Sequence, residues 1–288
     1  MTTGSGFLKK HPVRTYFALT LAISWTGLLM VGGAGFFAGS SWKTDQRFLP
    51  AIQAMLLGPP VAGVLSTILF SGMTGLRELV VRLVRWRVGG RWYAVALLGA
   101  PLIQGGVLMA LSLRAPVYLP AIVNSNDRAG LFLPAIAYGL VGGLVEELGW
   151  TGFAIPRLRA RFSVLATGLI VGVVWGVWHM LQMWWVGSTS FETESAGIFL
   201  PTYFLTAIAA LTAYRVLMVW VYDRTASLFV AVLMHGSYIV CTLFVLASPT
   251  TGMPFLVYSG TFAVVLWLAV AVVARLAGLR RVPSARAP

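Results

Sequence analysis

Residues 131–157 read LFLPAIAYGLVGGLVEELGWTGFAIPR, an apolar run that ends in the adjacent glutamates Glu146 and Glu147. The run from Leu131 to Val145 has the composition of a transmembrane helix. A carboxylate inside such a helix is energetically costly, and it is normally kept because it binds or catalyses something. The stretch therefore predicts both a membrane span and a functional site centred on the two glutamates.

The rest of the chain has the composition of a membrane protein. Of its 288 residues, 58% are hydrophobic and 10% are charged, with a mean hydropathy of +0.85, whereas a soluble domain carries roughly 25% charged residues. Long apolar runs separated by short polar patches predict an all-α, polytopic fold of about eight transmembrane helices in a single domain covering residues 1–288. The predicted spans are residues 15–38, 48–71, 92–113, 131–156, 163–186, 197–221, 225–248 and 254–277.

The formal net charge of +13 is concentrated in alternate loops. One set of loops and the two ends contain Lys9, Lys10, Arg14, Arg77, Arg82, Arg85, Arg87, Arg91, Arg157, Arg159, Arg161, Arg224, Arg275, Arg280, Arg281 and Arg286. The other loops contain Lys43, Arg47, Arg114 and Arg128, offset by Asp45, Asp127, Glu192 and Glu194. By the positive-inside rule, this asymmetry predicts a multi-pass protein of the plasma membrane with both termini in the cytoplasm.

The expected partners follow from the same pattern. A basic face interleaved with aromatic residues would indicate nucleic acid, and the sequence has none, so we expect the lipid bilayer and no nucleic acid as partners. The sequence does not indicate an oligomeric state. The lone Cys241 excludes an intramolecular disulfide and a cysteine-rich metal site.

Three local patterns predict how the helices are shaped. Gly58, Pro59 and Pro60 predict a break in the second span. The segment from Gly75 to Arg91 alternates arginines with apolar residues and predicts an amphipathic helix in the cytoplasmic interface. The ladder Gly168, Gly172 and Gly176 predicts close packing of the fourth and fifth spans.

Few ionisable side chains lie inside the predicted spans, and several share a depth. They are Glu146, Glu147, His179, Arg215 and His235. At about 1.5 Å per residue, Glu146 lies roughly 14 Å, His235 roughly 15 Å and His179 roughly 24 Å from the predicted cytoplasmic ends of their helices. These depths predict that the three side chains meet near the middle of the membrane.

Carboxylates and imidazoles at one depth fit two kinds of chemistry. They can activate water as general bases, or they can coordinate a divalent metal such as zinc through Glu146, His179 and His235. The residues leave this choice open, and no cofactor is required by the first alternative. Glu146 and Glu147 point about 100° apart around a helix, so we expect one to face the reacting atoms and the other to support it.

The order of these residues resembles the CAAX prenyl protease and bacteriocin-processing family of intramembrane proteases, also called the Abi family. Its pattern is a glutamate pair with an arginine after three further residues, an aromatic residue four before a histidine, and a second histidine with an asparagine or aspartate four residues on. The matching residues are Glu146 and Glu147, Trp175 to His179, and His235. The resemblance covers residues 131–240, which we expect to form the protease core of the bundle.

The resemblance implies proteolysis within the membrane from a cavity open to the cytoplasm, with a membrane-embedded or amphipathic peptide as substrate. Glu146 would activate water, His179 would assist, and His235 would stabilise the oxyanion. Glu147 completes the implied catalytic set. Family names describe a metalloprotease, but these residues fit a metal-free, glutamate-activated water as well as a catalytic zinc.

Two positions depart from the family pattern. Thr151 stands where the arginine is expected, so Glu147 must be protonated, paired with another cation such as Arg215, or partly hydrated. Ile239 stands where the amide is expected and cannot donate a hydrogen bond, which predicts reduced activity, altered substrates or replacement donors such as Ser237 or Tyr238.

These departures favour a second hypothesis, a non-catalytic member that binds a peptide or a partner membrane protein in the same cavity as an immunity or scaffold protein. A small-ion or solute transporter is a third hypothesis. It is weaker because the sequence has neither inverted repeats nor paired broken helices in corresponding halves.

Overall fold

The structure, a computed structural model, describes residues 10–37, 41–188, 190–191, 195–248, 250–277 and 279. Every regular element in these ranges is helical, which confirms the predicted all-α class. Seven helical segments are long and apolar enough to cross a membrane, and a bent helix pair makes up an eighth. The predicted residues Lys9, Glu192, Glu194, Arg280, Arg281 and Arg286 lie outside the described ranges.

Twelve α-helices are described, and two of them are followed directly by a π-helical turn. The helices are α1 (Pro12–Phe37), α2 (Phe48–Leu56), α3 (Gly58–Leu83), α4 (Gly90–Ser112), α5 (Ala121–Asn124), α6 (Arg128–Gly149), α7 (Ile155–Arg159), α8 (Val164–Trp178), α9 (Met180–Gly187), α10 (Ala196–Thr225), α11 (Leu228–Ile239) and α12 (Gly252–Ala277). The π-helical turns are Trp150–Ala154 after α6 and Val240–Val245 after α11.

The second span is broken between α2 and α3, as its glycine and prolines predict. Pro59 has no N–H to donate to the carbonyl of Met55, four residues earlier. The hydroxyl of Ser24 on α1 donates to that carbonyl instead, at 2.7 Å. A Cβ at position 58 would lie 1.9 Å from the Ser24 hydroxyl oxygen, so only glycine leaves room for this contact.

The predicted amphipathic helix over Gly75 to Arg91 is only partly correct. The chain is helical as far as Leu83, after a break at Gly72 where φ is 58°, and α4 begins at Gly90. Leu79 does not lie on a free apolar face, because it packs against Leu228 at the start of α11. Part of this segment is therefore held in the bundle by tertiary packing.

The prediction that the glycine ladder joins the fourth and fifth spans is wrong. A Cβ at Gly168 would lie 2.6 Å from the Cα of Val216, and one at Gly172 would lie 2.6 Å from the Cα of Thr212. Both contacts are on α10. The ladder therefore packs α8 against the sixth span, since the glycine-lined face of a helix fits any neighbour whose backbone lies opposite it.

The glycines of α6 instead bring the glutamate helix against α11. A Cβ at Gly139 would lie 2.7 Å from the carbonyl oxygen of Gly236, and one at Gly143 would lie 2.6 Å from that of Val232. The two backbones are therefore in direct contact at these glycines, with no space for a side chain between them. This crossing places His235 beside the carboxylates of α6.

The helix ends form two opposite faces of the bundle. One face, called here the terminal face, carries the first and last described residues, Lys10 and Leu279, and the loops 84–89, 160–163 and 226–227. It is held together by hydrogen bonds between these segments: Leu165 N–H donates to the carbonyl of Leu279 at 3.1 Å, and the Ser227 hydroxyl donates to the carbonyl of Arg85 at 2.6 Å.

The other face, called here the far face, carries the described parts of the loops 41–47, 113–127, 188–195 and 246–251. The N–H of Gly252 donates to the carbonyl of Ser190 at 2.9 Å, and that of Ala121 donates to the carbonyl of Ala247 at 3.1 Å. Each of these bonds joins loops that follow odd-numbered spans. The alternation of the two faces agrees with eight crossings of the membrane.

Candidate active site

Glu147 lies at the centre of a buried polar network contributed by α6, α10, α11 and the first π-helical turn. Its Oε1 and Oε2 accept hydrogen bonds from Nη1 of Arg215 at 2.7 and 2.9 Å. Nδ1 of His235 lies 2.7 Å from Oε1, and the Thr151 hydroxyl donates to Oε2. Both Glu147 and Arg215 are 0% exposed. Since this carboxylate is paired and fully hydrogen-bonded, it orients its neighbours and has no free path to a substrate.

Arg215 is the cation that pairs with Glu147, although position 151 holds a threonine where the family pattern has an arginine. The family pattern places an arginine one turn after the glutamate pair, whereas here the guanidinium comes from α10 and Thr151 adds a hydroxyl. The guanidinium carbon of Arg215 also lies 4.1 Å from the centroid of the Trp175 ring, a cation–π contact. Of the three alternatives for Glu147, the structure supports pairing with Arg215.

Glu146 points to a different environment from that of Glu147. Its Oε2 accepts a hydrogen bond from the indole Nε1 of Trp175 at 2.8 Å, and its Oε1 lies 3.7 Å from Nε2 of His235. Glu146 lines the large internal cavity, and Glu147 is not among the residues that line it. The expectation that one glutamate faces the reacting atoms while the other supports it fits this geometry.

His235 connects the two glutamates. Because a carboxylate only accepts, the hydrogen bond to Glu147 assigns a proton to Nδ1 and turns Nε2 toward Glu146 and the cavity. The edge of the ring also faces Trp175, with ring centroids 5.1 Å apart. The imidazole therefore has a fixed orientation and one nitrogen available to a bound molecule.

His179 lies at a break in the fifth span, where sequence analysis predicts a continuous helix. The axes of α8 and α9 differ by 46°, and His179 is the residue between them. Its Nδ1 donates to the carbonyl of Trp175 at 2.9 Å, while its own backbone N–H is shared between Trp175 and Gly176 carbonyls. A carbonyl can only accept, so in the neutral ring Nδ1 carries the proton and Nε2 is the acceptor.

Glu146, His179 and His235 line one cavity of about 540 Å³, within the range of roughly 300–1,000 Å³ that is usual for ligand sites. Its walls are mainly aromatic and aliphatic. The aromatic lining residues are Trp42, Phe48, Tyr138, Trp175, Trp178, Tyr203, Tyr238, Phe244, Phe255, Tyr258 and Phe262. Among the described residues, Glu146 is the only carboxylate in this lining. The cavity therefore combines a mainly apolar wall with one carboxylate and two imidazoles.

Ile239, which stands where the family pattern has an amide side chain, also faces the cavity. Ile239 lines it, one turn after His235, and packs over Gly142. Ser237 is not its replacement, because its hydroxyl donates to the carbonyl of Leu97 at 2.9 Å and the residue lines a separate groove. Tyr238 does line the cavity. Of the two replacement donors considered from the sequence, only Tyr238 has access to a bound molecule.

Two features of the site were not predicted from the sequence. A π-helical turn follows the glutamates at Trp150–Ala154, and another follows His235 at Val240–Val245. Such turns are often found at functional sites. Trp175 was noted only as the aromatic residue of a motif, and it contacts Glu146, Arg215 and His235. No spacing in the sequence predicts contacts of this kind between different helices.

The described side chains are not grouped as a metal site. Across the part of the chain that the structure describes, no three His, Cys, Asp or Glu side chains are grouped so as to hold a metal ion. The hydrogen bonds of His179 and His235 through Nδ1 do not decide the question, because a histidine that binds a metal through Nε2 usually makes the same kind of bond. The ligand set of Glu146, His179 and His235 therefore stays a prediction.

The fold and the site together define a polytopic, all-α membrane protein with a carboxylate–histidine centre buried in its bundle. Residues 128–241 match the model of a protein family described as type II CAAX prenyl endopeptidase Rce1-like. This match confirms the predicted resemblance to the CAAX prenyl protease and bacteriocin-processing family. It supports an intramembrane protease as the general class.

A curated relative gives the same indication. The chain is 25% identical, over 105 residues, to a protein of Methanococcus maripaludis named CAAX prenyl protease 2. The aligned part is 36% of this chain and covers 38% of the relative's length. The chain is thus similar to well under half of that relative.

Proposed function

We propose that this protein is an intramembrane endopeptidase that hydrolyses a peptide bond with water activated by Glu146. The observation that carries the proposal is that Glu146 is the one carboxylate lining the cavity among the described residues, with His179 and His235 in the same lining. A carboxylate within reach of a substrate-sized cavity is a suitable general base. Glu147 is proposed as a positioning residue because Arg215 and His235 occupy its oxygens.

In the proposed reaction, a carboxylate oxygen of Glu146 accepts a proton from water, and the resulting hydroxide attacks the carbonyl carbon of the peptide bond. The carbonyl oxygen becomes an oxyanion, which His235 stabilises through Nε2 when that nitrogen carries a proton. The tetrahedral intermediate then collapses, the carbon–nitrogen bond breaks, and Glu146 returns its proton to the leaving amine. Nε2 of His179 is the proposed acceptor of a hydrogen bond from the attacking water.

The proposed substrate is a membrane-embedded or amphipathic peptide. The aromatic and aliphatic lining of the cavity supports an apolar segment near the scissile bond. The proposed location is the plasma membrane, with both termini in the cytoplasm because the terminal face contains most of the arginines. The cytoplasmic opening implied by the family resemblance requires the cavity to reach that same face.

A second function, a non-catalytic peptide-binding protein, is supported by Ile239. This aliphatic side chain lines the cavity at the position where the family pattern has an amide. The other departure no longer supports it, because Arg215 supplies the cation that Thr151 lacks. A protein that binds in the cavity without cleaving would retain peptide affinity when Glu146 is replaced.

The two functions are separated by incubating purified protein in proteoliposomes with a library of apolar, fluorescence-quenched peptides. We expect cleavage that Glu146→Gln lowers by about 10²–10⁴-fold, the usual contribution of general acid–base catalysis. Glu78→Gln is the matched control, since Glu78 is exposed on α3 and remote from the cavity lining. Unchanged cleavage by Glu146→Gln would contradict the proposal, and binding without cleavage by the unsubstituted protein would favour the second function.

A further inference from the structure

The indole of Trp175 contacts three of the charged or ionisable side chains of the site. Trp175 lies on α8, lines the cavity and is only 1% exposed. Its Nε1 donates to Oε2 of Glu146 at 2.8 Å. The guanidinium carbon of Arg215 lies 4.1 Å from the centroid of its ring, and the ring of His235 meets it edge-on with centroids 5.1 Å apart. The indole therefore joins the carboxylate of the cavity to the buried network behind it.

The bond from Trp175 makes the two oxygens of Glu146 different. In the part of the chain that the structure describes, the indole N–H is the only group that donates a hydrogen bond to this carboxylate. The other oxygen, Oε1, lies 3.7 Å from Nε2 of His235, which is beyond hydrogen-bonding distance. One oxygen is thus held by a buried donor, and the other is free of described donors and lies beside the imidazole.

The donor at this position comes from the particular aromatic residue of this chain. The family pattern has an aromatic residue four before the first histidine, and phenylalanine satisfies that pattern without a polar atom. An indole N–H only donates, so Trp175 can hold a carboxylate oxygen but cannot compete with it for a proton from water. Since the ring is packed against Arg215 and His235, its N–H also has a fixed direction.

Trp175 also orients His179, but through its backbone. Its carbonyl accepts a hydrogen bond from Nδ1 of His179 at 2.9 Å, and the two rings are in edge contact with centroids 5.4 Å apart. Replacement of the side chain leaves this carbonyl in place. The side-chain bond to Glu146 and the backbone bond to His179 can therefore be separated by Trp175→Phe, which removes the N–H and keeps both the carbonyl and an aromatic ring.

We propose that Trp175 is a positioning residue: its indole N–H holds Oε2 of Glu146, so that Oε1, beside His235, is the oxygen that takes the proton from water. The role in the reaction rests on the proposed protease function, whereas the bond itself does not. Without the N–H, the carboxylate rotates about its Cγ–Cδ bond and Oε1 spends less time in the reactive position. A misplacement of about 1 Å can cost about 10²-fold in rate, so the loss appears in kcat.

The kinetic test compares Trp175→Phe with the unsubstituted protein in proteoliposomes, using the quenched peptide that the unsubstituted protein cleaves fastest. We expect kcat to fall by about 10–10²-fold with KM unchanged, since the lost bond orients the base and does not hold the peptide. Trp220→Phe is the matched control. Trp220 lies on α10 outside the cavity lining, and its buried Nε1 makes no hydrogen bond with any described residue, so this variant should keep both constants.

The second test observes the hydrogen bond without any cleavage. Protein with isotope-labelled indoles in detergent gives one indole N–H resonance for each of its eleven tryptophans, and the resonance of Trp175 is the one absent from Trp175→Phe. A hydrogen-bonded proton resonates at lower field than a free one. We therefore expect Glu146→Ala to move this resonance to higher field, whereas Glu78→Ala, at an exposed position of α3, should leave it in place.

Four results would overturn the positioning role. They are cleavage by Trp175→Phe at the unsubstituted rate, an equal loss of kcat in Trp220→Phe, a raised KM with kcat unchanged, and an absence of any shifted indole resonance in Glu146→Ala. The last result decides the matter even if Trp175→Phe does not fold. An unsubstituted protein that cleaves no peptide, although Glu146→Ala shifts the resonance of Trp175, would contradict the protease function and leave Trp175 as the residue that orients Glu146.

Discussion

Arg215 on α10 and Glu147 on α6 form an ion pair in which both side chains are 0% exposed, with Nη1 2.7 Å from Oε1. The pair lies behind the cavity, and the same carboxylate also receives Nδ1 of His235. It therefore connects the helix that carries the glutamates with two others and sets the orientation of an imidazole in the cavity wall. Removing one partner leaves the other as an uncompensated charge in a low-dielectric interior.

We expect Arg215→Met to destabilise the folded protein by about 3–5 kcal/mol, the usual cost of breaking a buried ion pair. The measurement is thermal unfolding of purified protein in detergent. Arg114→Met is the matched control, because Arg114 is exposed in the loop that follows α4, and exposed charges contribute about 0–1 kcal/mol. Equal losses of stability in the two variants would contradict a structural role for the buried pair.

Restoring the arginine of the family pattern at position 151 is expected to harm this chain. Thr151 is buried and its hydroxyl already donates to Glu147, so Thr151→Arg adds a second buried cation beside Arg215. We expect Thr151→Arg to lower the unfolding temperature, and Thr151→Arg combined with Arg215→Met to recover part of the loss. The measurement is the unfolding temperature of the two single variants and of the double variant. If the double variant lost as much as the two single variants together, the two cations would not share Glu147.

Ile239→Asn is expected to increase the rate of peptide cleavage. The residue lines the cavity one turn after His235, where an amide can donate to the oxyanion, and one such donor is worth up to about 10²–10³-fold in rate. Leu243→Asn is the control, since Leu243 lines the same wall one turn farther toward the far face. An equal response of both variants would attribute the change to cavity polarity, and no response of Ile239→Asn would indicate another donor such as Tyr238.

The crossing of α6 and α11 is expected to tolerate no side chain at Gly143. A Cβ there would lie 2.6 Å from the carbonyl oxygen of Val232 and 3.0 Å from the backbone nitrogen of Gly236. We expect Gly143→Ala to lose about 1–3 kcal/mol of stability through overpacking and to lose cleavage as His235 moves away from the carboxylates. At Gly99, in α4, a Cβ would meet no atom within 4 Å, so Gly99→Ala should keep both properties.

Metal removal is expected to leave cleavage unchanged. The described side chains form no group of three His, Cys, Asp or Glu that could hold an ion. The measurement compares cleavage before and after treatment with a zinc chelator, alongside elemental analysis of the purified protein. Stoichiometric zinc that is lost both with the chelator and in Glu146→Gln would contradict this expectation and restore the zinc hypothesis.

Much of the architecture follows from the sequence because membrane insertion is governed by local composition. Each apolar run must satisfy its own backbone hydrogen bonds in lipid, so length and hydropathy predict the spans. The break at Gly58 to Pro60 was also predictable, since proline cannot donate. The glutamates and histidines stood out because ionisable residues are rare inside spans.

The sequence of a single span does not specify which other helices it contacts. The ladder at Gly168, Gly172 and Gly176 predicts a close neighbour, but only the assembled bundle shows that this neighbour is α10 and not α6. The bend at His179 is similar, because the structure alone shows that the ring of His179 and its backbone N–H share the carbonyl of Trp175 at this point. A periodic apolar pattern contains no information about either.

The sequence by itself determined an all-α membrane bundle and predicted Glu146, Glu147, His179 and His235 as candidate site residues. Only the tertiary structure decided that Glu146 faces the cavity while Glu147 is paired with Arg215, sixty-eight residues away. The physical reason is that partners and openings depend on how separate helices are rotated and packed against one another, which local composition does not specify.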